Sequence, residues 1–270
     1  MDFVRQLIFG SDIPTEMTFI TDELAYPAIL KLQISDKDGE KYVCTGFVID
    51  KDIVMTASHC IHFDIKDIVF PDHDDFYVVK MIVNESFQIK RMHISEGIPE
   101  SDFAFLIVAR IDQKSISDVT GIMDFTTDFQ LGDHVRTIGF PTLFSGMTSI
   151  SGKITQVSDQ ILKTSNIASC GNSGGPLLNH ENKVISVVSC GNLYYTSYPI
   201  LLNNWEFIHL FSYTKQLARD MWYQGIKIYN DSRIPNYIKK QIAFIEENQE
   251  SITSHDLEQF HKEAVILYYY

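Results

Sequence analysis

The run Cys170-Gly171-Asn172-Ser173-Gly174-Gly175-Pro176 sets a serine among three glycines. Each glycine adds chain entropy that folding must remove, about 0.5–1 kcal/mol relative to alanine in regular structure. Glycines here are explained by what their backbone can do. If the chain bends sharply, the N–H groups of Gly171 and Ser173 can point at one spot, where the oxyanion of an attacked carbonyl would sit. A serine hydroxyl is almost wholly protonated at neutral pH, so a nucleophilic Ser173 needs a base. Nine histidines are available. His59 stands out because DIVMTASHC carries it from an apolar run into a turn of small residues ending at Cys60. The base in turn needs a carboxylate that fixes its tautomer and stabilises its charged form. Asp102 opens DFAFLIVAR, a run apolar enough to be a central strand, which places this carboxylate at a strand mouth and in need of a partner. Asp64, Asp67, Asp72, Asp74 and Asp75 fall in polar loops and read as solvated.

Elements able to hold such groups recur from about residue 26 to 205. Short runs rich in β-branched and aromatic residues, among them AILKLQIS, KYVCTGFVID, FYVVKMIV, HVRTIGF and KVISVVSCG, alternate with turn residues. That spacing, without long helical patterns between the runs, predicts an all-β fold. About a dozen strands over some 180 residues suit two six-stranded antiparallel β-barrels better than one. The expected organisation is an N-terminal arm over 1–25, a first barrel over 26–118, a second over 119–205, and helices over 206–270, with the irregular stretch 112–130 as the connection. After residue 205 apolar residues recur every three to four positions in WEFIHLFSYTKQLARDMWYQG, which predicts a helix closed by Gly225. Pro235 opens a second helical pattern and Leu257 to Leu267 a third. These stripes either pack back onto the barrels or offer a regulatory partner its contact surface.

Composition sets outer limits. With 270 residues the chain can bury a sizeable core. Its 22 basic and 35 acidic residues leave a net charge of −13, which repels phosphate backbones and anionic lipid surfaces, so neither nucleic acid nor membrane is an expected partner. The longest apolar run, Phe103 to Ala109, is far short of the roughly 20 residues a membrane-spanning helix needs. The amino terminus lacks the basic start and apolar stretch of a secretion signal. A cytoplasmic protein, export by a signal-independent route, or a mature form all fit that start. Four cysteines do not demand a disulfide framework in a chain this long.

Together, TASHC, SDFAFL and GNSGGP resemble the histidine, aspartate and serine motifs of the chymotrypsin-like (trypsin-like) serine peptidases. The order His59, Asp102, Ser173 is also that family's, and it separates this fold from other Ser-His-Asp enzymes. The resemblance spans residues 26 to about 222. It implies a serine endopeptidase acting on protein or peptide substrates without a cofactor, through a Ser173-His59-Asp102 triad, an oxyanion hole of Gly171 and Ser173, and an acyl-enzyme. It further implies a disulfide between Cys44 and Cys60 in an oxidising compartment, and a strand Ser189-Cys190-Gly191 whose Ser supports the aspartate and whose backbone pairs with substrate. A protease-like binding module, or a latent protease held inactive by the tail or a partner, is the alternative.

Two departures from the family pattern matter. Zymogen-type members carry an Asp before the nucleophile, to pair with a newly released amino terminus. Here that residue is Asn172, an amide that cannot form the ion pair, so activity is expected without such processing. The primary-pocket segment Ile167-Ala168-Ser169-Cys170 is uncharged, so an uncharged, apolar P1 side chain is expected. The acidic loop Asp72-His73-Asp74-Asp75 offers oxygen ligands but reads as a solvated cluster, and no metal is expected there.

Overall fold

The structure is a computed structural model that describes residues 16–20, 25–61, 65–83, 101–110, 114–142, 144–191 and 196–230. Six strands form one antiparallel sheet: β2 (Ile29–Asp36), β3 (Lys41–Asp50), β4 (Ile53–Thr56), β5 (Ile65–Val69), β6 (Phe76–Val83) and β7 (Ala104–Arg110). Their order is β5-β2-β3-β4-β7-β6, and β5 meets β6 so that the sheet curls into a barrel. A period of two assigns the side chains. Leu30, Leu32, Val48, Val54, Leu106 and Val108 fill this barrel, whereas the alternating Ile29, Phe47, Ile49, Ile53, Met55 and Phe105 face away from it. The outward set is buried too, against Ile138, Leu178, Val184 and Val187 of the second barrel. Both faces of β7 are therefore dry, which is why its sequence is an unbroken apolar run.

The second sheet comprises β8 (His134–Gly139), β9 (Thr148–Val157), β10 (Ile161–Thr164), β11 (Pro176–Leu178), β12 (Val184–Val187), β13 (Cys190–Gly191) and β14 (Thr196–Pro199). Its order is β12-β11-β8-β9-β10-β14-β13, with β12 touching β14. Val135, Leu162, Leu177, Ile185 and Tyr198 fill its interior. Tyr198 is fully buried with its hydroxyl on Thr137, 2.7 Å away, and burial pushes its phenol up to about 12. Within the arm, β1 (Glu16–Phe19) joins this sheet by pairing with β9 from Glu16↔Ser151 to Phe19↔Thr148. Six principal strands per barrel, with β1 and the two-residue β13 as additions, form the chymotrypsin-like fold.

The chain crosses between barrels after the short helix α1 (Ser117–Thr120). The Met123 N–H donates to Val48 of the first barrel and the Thr126 N–H to Val184 of the second. Helix α2 (Trp205–Asn230) then returns to the seam. Phe207, 1% exposed, packs against Phe103, Phe105 and Phe125, and Lys215 pairs with Asp50 at 2.8 Å. The expected end at Gly225 is corrected here, because the helix runs through that residue to Asn230. A glycine inside a helix costs only about 1 kcal/mol relative to alanine, and nothing as strong as a proline follows it directly. The two later helical patterns lie outside the described residues. Among the described residues no helix is long and apolar enough to cross a membrane.

Candidate active site

His59 lies in a single 3-10 turn, Ser58–Cys60, that follows β4. The turn is tied down on both sides: the Ser58 hydroxyl donates to the Phe103 carbonyl at 2.6 Å, and Cys60 is joined to Cys44 of β3 by a disulfide. Asp102 lies two residues before β7, and β7 pairs with β4, so the sheet itself brings the two residues together. Asp102 Oδ1 accepts the His59 N–H at 2.9 Å, and Oδ2 lies 2.7 Å from His59 Nδ1. Ser189 Oγ donates to the same Oδ2 at 2.7 Å. Asp102 is 3% exposed. Burial opposes its ionisation, yet the charge of His59 and the hydrogen bonds from His59 and Ser189 outweigh that and hold the carboxyl below its ordinary range. An ionised Asp102 at Nδ1 leaves the lone pair of a neutral imidazole on Nε2.

On the other barrel, residues 170–173 form a loop whose backbone groups can be followed one at a time. The Cys170 carbonyl accepts from the Thr142 N–H at 2.8 Å and its hydroxyl at 3.2 Å. The Gly171 carbonyl accepts from Thr45 Oγ1 at 2.7 Å, the Asn172 carbonyl from the Gly175 N–H at 2.9 Å, and the Ser173 carbonyl from the Thr45 N–H at 2.8 Å. Among the N–H groups, Asn172 donates to Ser169 and Gly174 to Val188. Among the described residues, the N–H groups of Gly171 and Ser173 donate to no protein acceptor. Buried backbone donors are almost always paired. Two such donors, on the peptides either side of the Gly171–Asn172 peptide, are chemically able to receive an oxygen anion.

Gly171 has no alternative at its position. Its φ is +97°, and a Cβ there would lie 2.2 Å from the Phe140 carbonyl oxygen and 2.9 Å from the Thr142 nitrogen. Cys60 Sγ lies 3.7 Å from the Ser173 carbonyl oxygen, so the histidine turn and the serine loop meet at the seam between barrels. No hydrogen bond joins the Ser173 hydroxyl to His59 among the described residues. Such bonds are often long in unliganded active sites and tighten around substrate.

The remaining expected residues divide by exposure. Ile167 is buried at 3%, Ala168 and Ser169 are half-buried, and Cys170 presents an exposed free thiol. The Ala168 N–H donates to Thr196 Oγ1, pinning this segment to β14. Cys190 and Gly191 form β13, whose partner is β14; β13 ends the sheet order, so its other edge faces no described strand. In the acidic loop, Asp75 is held by Arg110 at 2.7 Å, and no group of three potential metal ligands occurs among the described residues. Sequence reasoning missed Thr45 and Thr142, which anchor the serine loop from outside it. Neither carries a sequence signal, since a threonine in a strand or turn is ordinary.

A six-stranded barrel bearing a histidine and aspartate, set against a second barrel bearing a serine loop, defines the chymotrypsin-like class of protein. Residues 44–187 match the family model described as the trypsin-like peptidase domain, and the chain belongs to that family; it is a trypsin-like serine endopeptidase. Solved structures share the fold. One described as Glu endopeptidase in complex with MPD is 18% identical, with a TM-score of 0.60, covering 77% of this chain and 99% of its own. The thermostable serine protease AL20 from an extremophilic microorganism is 19% identical, with a TM-score of 0.54, covering 66% and 92%. The protease Anisep from Arthrobacter nicotinovorans is 20% identical, with a TM-score of 0.55, covering 68% and 93%.

Proposed function

We propose that the chain hydrolyses peptide bonds with Ser173 as nucleophile, His59 as general base and acid, and Asp102 as the group that orients and stabilises the imidazole. The observation that carries this reading is the contact of Asp102 Oδ2 with His59 Nδ1 at 2.7 Å, because it makes Nε2 the basic nitrogen. The Ser173 proton passes to Nε2 as Oγ attacks the scissile carbonyl. The resulting oxyanion takes the N–H groups of Gly171 and Ser173. His59 then returns the proton to the leaving amine, and water hydrolyses the acyl-enzyme by the same route. Asp102 stays ionised throughout, supported by Ser189.

Substrate lies along the outer edge of β13, adding a strand through main-chain hydrogen bonds. The P1 side chain faces Ala168, Ser169 and Cys170, which carry no charge to pair with a basic or acidic side chain, so P1 is uncharged. Asn172 is 1% exposed and uncharged, so no ion pair with a new amino terminus is required for activity. An active-site-directed fluorophosphonate tests the reading. Wild type should be labelled at Ser173 and Ser173→Ala not at all, with cleavage-site profiling reporting the P1 preference. Unchanged peptide cleavage by Ser173→Ala refutes it.

A further inference from the structure

Thr45 of β3 does not belong to the serine loop, to the disulfide or to the triad, yet it binds the loop twice. Its N–H donates to the Ser173 carbonyl at 2.8 Å and its Oγ1 to the Gly171 carbonyl at 2.7 Å. The same Oγ1 accepts the Phe140 N–H at 3.1 Å, and the Thr45 carbonyl accepts from Thr56 Oγ1 at 2.8 Å. Each polar atom of this residue, which has no exposed surface, is thereby used. Its two loop acceptors are the carbonyls of Gly171 and Ser173, the residues whose own N–H groups are unpaired among the described residues.

Thr45 can come this close only because side chains are missing opposite it. A Cβ on Gly174 would lie 2.3 Å from the Thr45 carbonyl oxygen, and one on Gly139 would lie 2.8 Å from Oγ1. Two glycines of the second barrel are therefore shaped around one threonine of the first.

We propose that Thr45 is a positioning residue for the oxyanion site: its hydroxyl holds Gly171, and its backbone N–H holds Ser173, so that both donors converge on the developing oxyanion. The proposal rests on Ser173 being the nucleophile. The physical reason is that each peptide is planar. The Gly171 N–H shares its plane with the Cys170 carbonyl, held by Thr142, and the Ser173 N–H with the Asn172 carbonyl, held by Gly175. Thr45 grips the plane between these two and the plane after them, and so fixes how the two donor planes are turned relative to one another. Gly171 has no side chain of its own to hold it. With the Thr45 hydroxyl removed, its carbonyl loses its partner and the loop can rotate the donor out of line. The Ser173 carbonyl keeps its bond to the Thr45 backbone, so substrate still binds as before.

The test is the rate of fluorophosphonate labelling at Ser173, resolved into kinact and KI, in wild type, Thr45→Val and Thr45→Ser. Valine replaces the hydroxyl by a methyl group of similar size; serine keeps the hydroxyl. Loss of one such hydrogen bond should lower kinact about 10-fold in Thr45→Val, below the 10²–10³-fold loss on deleting an oxyanion donor outright. KI should be unchanged, and Thr45→Ser should stay within about threefold of wild type. A purely structural role would lower the fraction of folded enzyme and leave the kinact of that fraction intact. If Thr45→Val does not fold, Thr45→Ser is compared with Thr45→Ala: equal kinact in both overturns the proposal, and a selective loss in alanine supports it. Wild-type kinact in Thr45→Val alongside labelled wild type removes only the role of Thr45. Absence of Ser173 labelling in wild type removes the nucleophile assignment and this proposal with it.

Discussion

Replacing Gly171 by alanine separates the two reasons a glycine can be required. At φ +97° an L side chain is strained wherever it stands, and a Cβ would also meet the Phe140 carbonyl oxygen at 2.2 Å. Gly132 shares the first problem at φ +92° but has nothing within 4 Å of its virtual Cβ. Gly132→Ala should therefore show strain alone, about 1–2 kcal/mol, which for a chain of this size lowers Tm by roughly 2–8 °C. Gly171→Ala carries the same strain and a backbone collision, and ordinary contact is restored only if the loop moves by about 1 Å. A displacement of about 1 Å at reacting groups can cost about 10²-fold, and loss of an oxyanion donor costs about 10²–10³-fold. The expected result is a fall in kinact of that size in Gly171→Ala, and wild-type kinact in Gly132→Ala, each measured by fluorophosphonate labelling beside a thermal melt. Wild-type labelling by Gly171→Ala with an unchanged Tm would refute the assignment of Gly171 as a donor held by close backbone packing.

Two further substitutions probe the support around the site. Asp102→Asn keeps the side-chain shape but favours the wrong imidazole tautomer, and a loss of about 10⁴-fold in kcat is expected by analogy with triads in general. The same variant has a pH signature. The carboxyl of Asp102 is held below its ordinary value in the folded protein, so its contribution to stability is present above the unfolded pKa and fades as pH falls through the folded one. Wild type should lose stability below about pH 4 more steeply than Asp102→Asn, as followed by thermal melts across pH; identical acid limbs would contradict the environment assigned to Asp102. Phe207→Ala should destabilise by about 3–5 kcal/mol, because it removes a buried ring shared by Phe103, Phe105 and Phe125. A melt shifted by less than about 3 °C would show that α2 does not hold the seam.

Much of the fold is legible in local pattern. Strands such as Ile29–Asp36 and Ala104–Arg110 announce themselves by β-branched and aromatic runs bounded by turn residues. The short β10 and β14 carry too few residues for a period to show, and β1 lies in an arm with no strand-like alternation. The end of α2 at Asn230 is not legible in the sequence, because one glycine is a weak stop signal when flanking residues favour helix. Motif chemistry is equally local: a small-residue turn around His59, an acid at a strand mouth and a serine amid glycines each carry their own physical reason.

Chain order alone determined which residue types could cooperate, because motifs are short and their chemistry depends on neighbours one to three positions away. Only the packed molecule decided which carbonyl each backbone group would reach. Gly171 and Thr45 are 126 positions apart in sequence, and the contact between them exists because the two barrels bury their outward faces against one another. Hydrophobic burial is non-directional, so it brings the barrels together without specifying a partner for any polar atom. The cost of leaving buried polar groups unpaired then selects the register in which Thr45 meets the serine loop. A threonine with that duty looks in sequence like any other strand threonine.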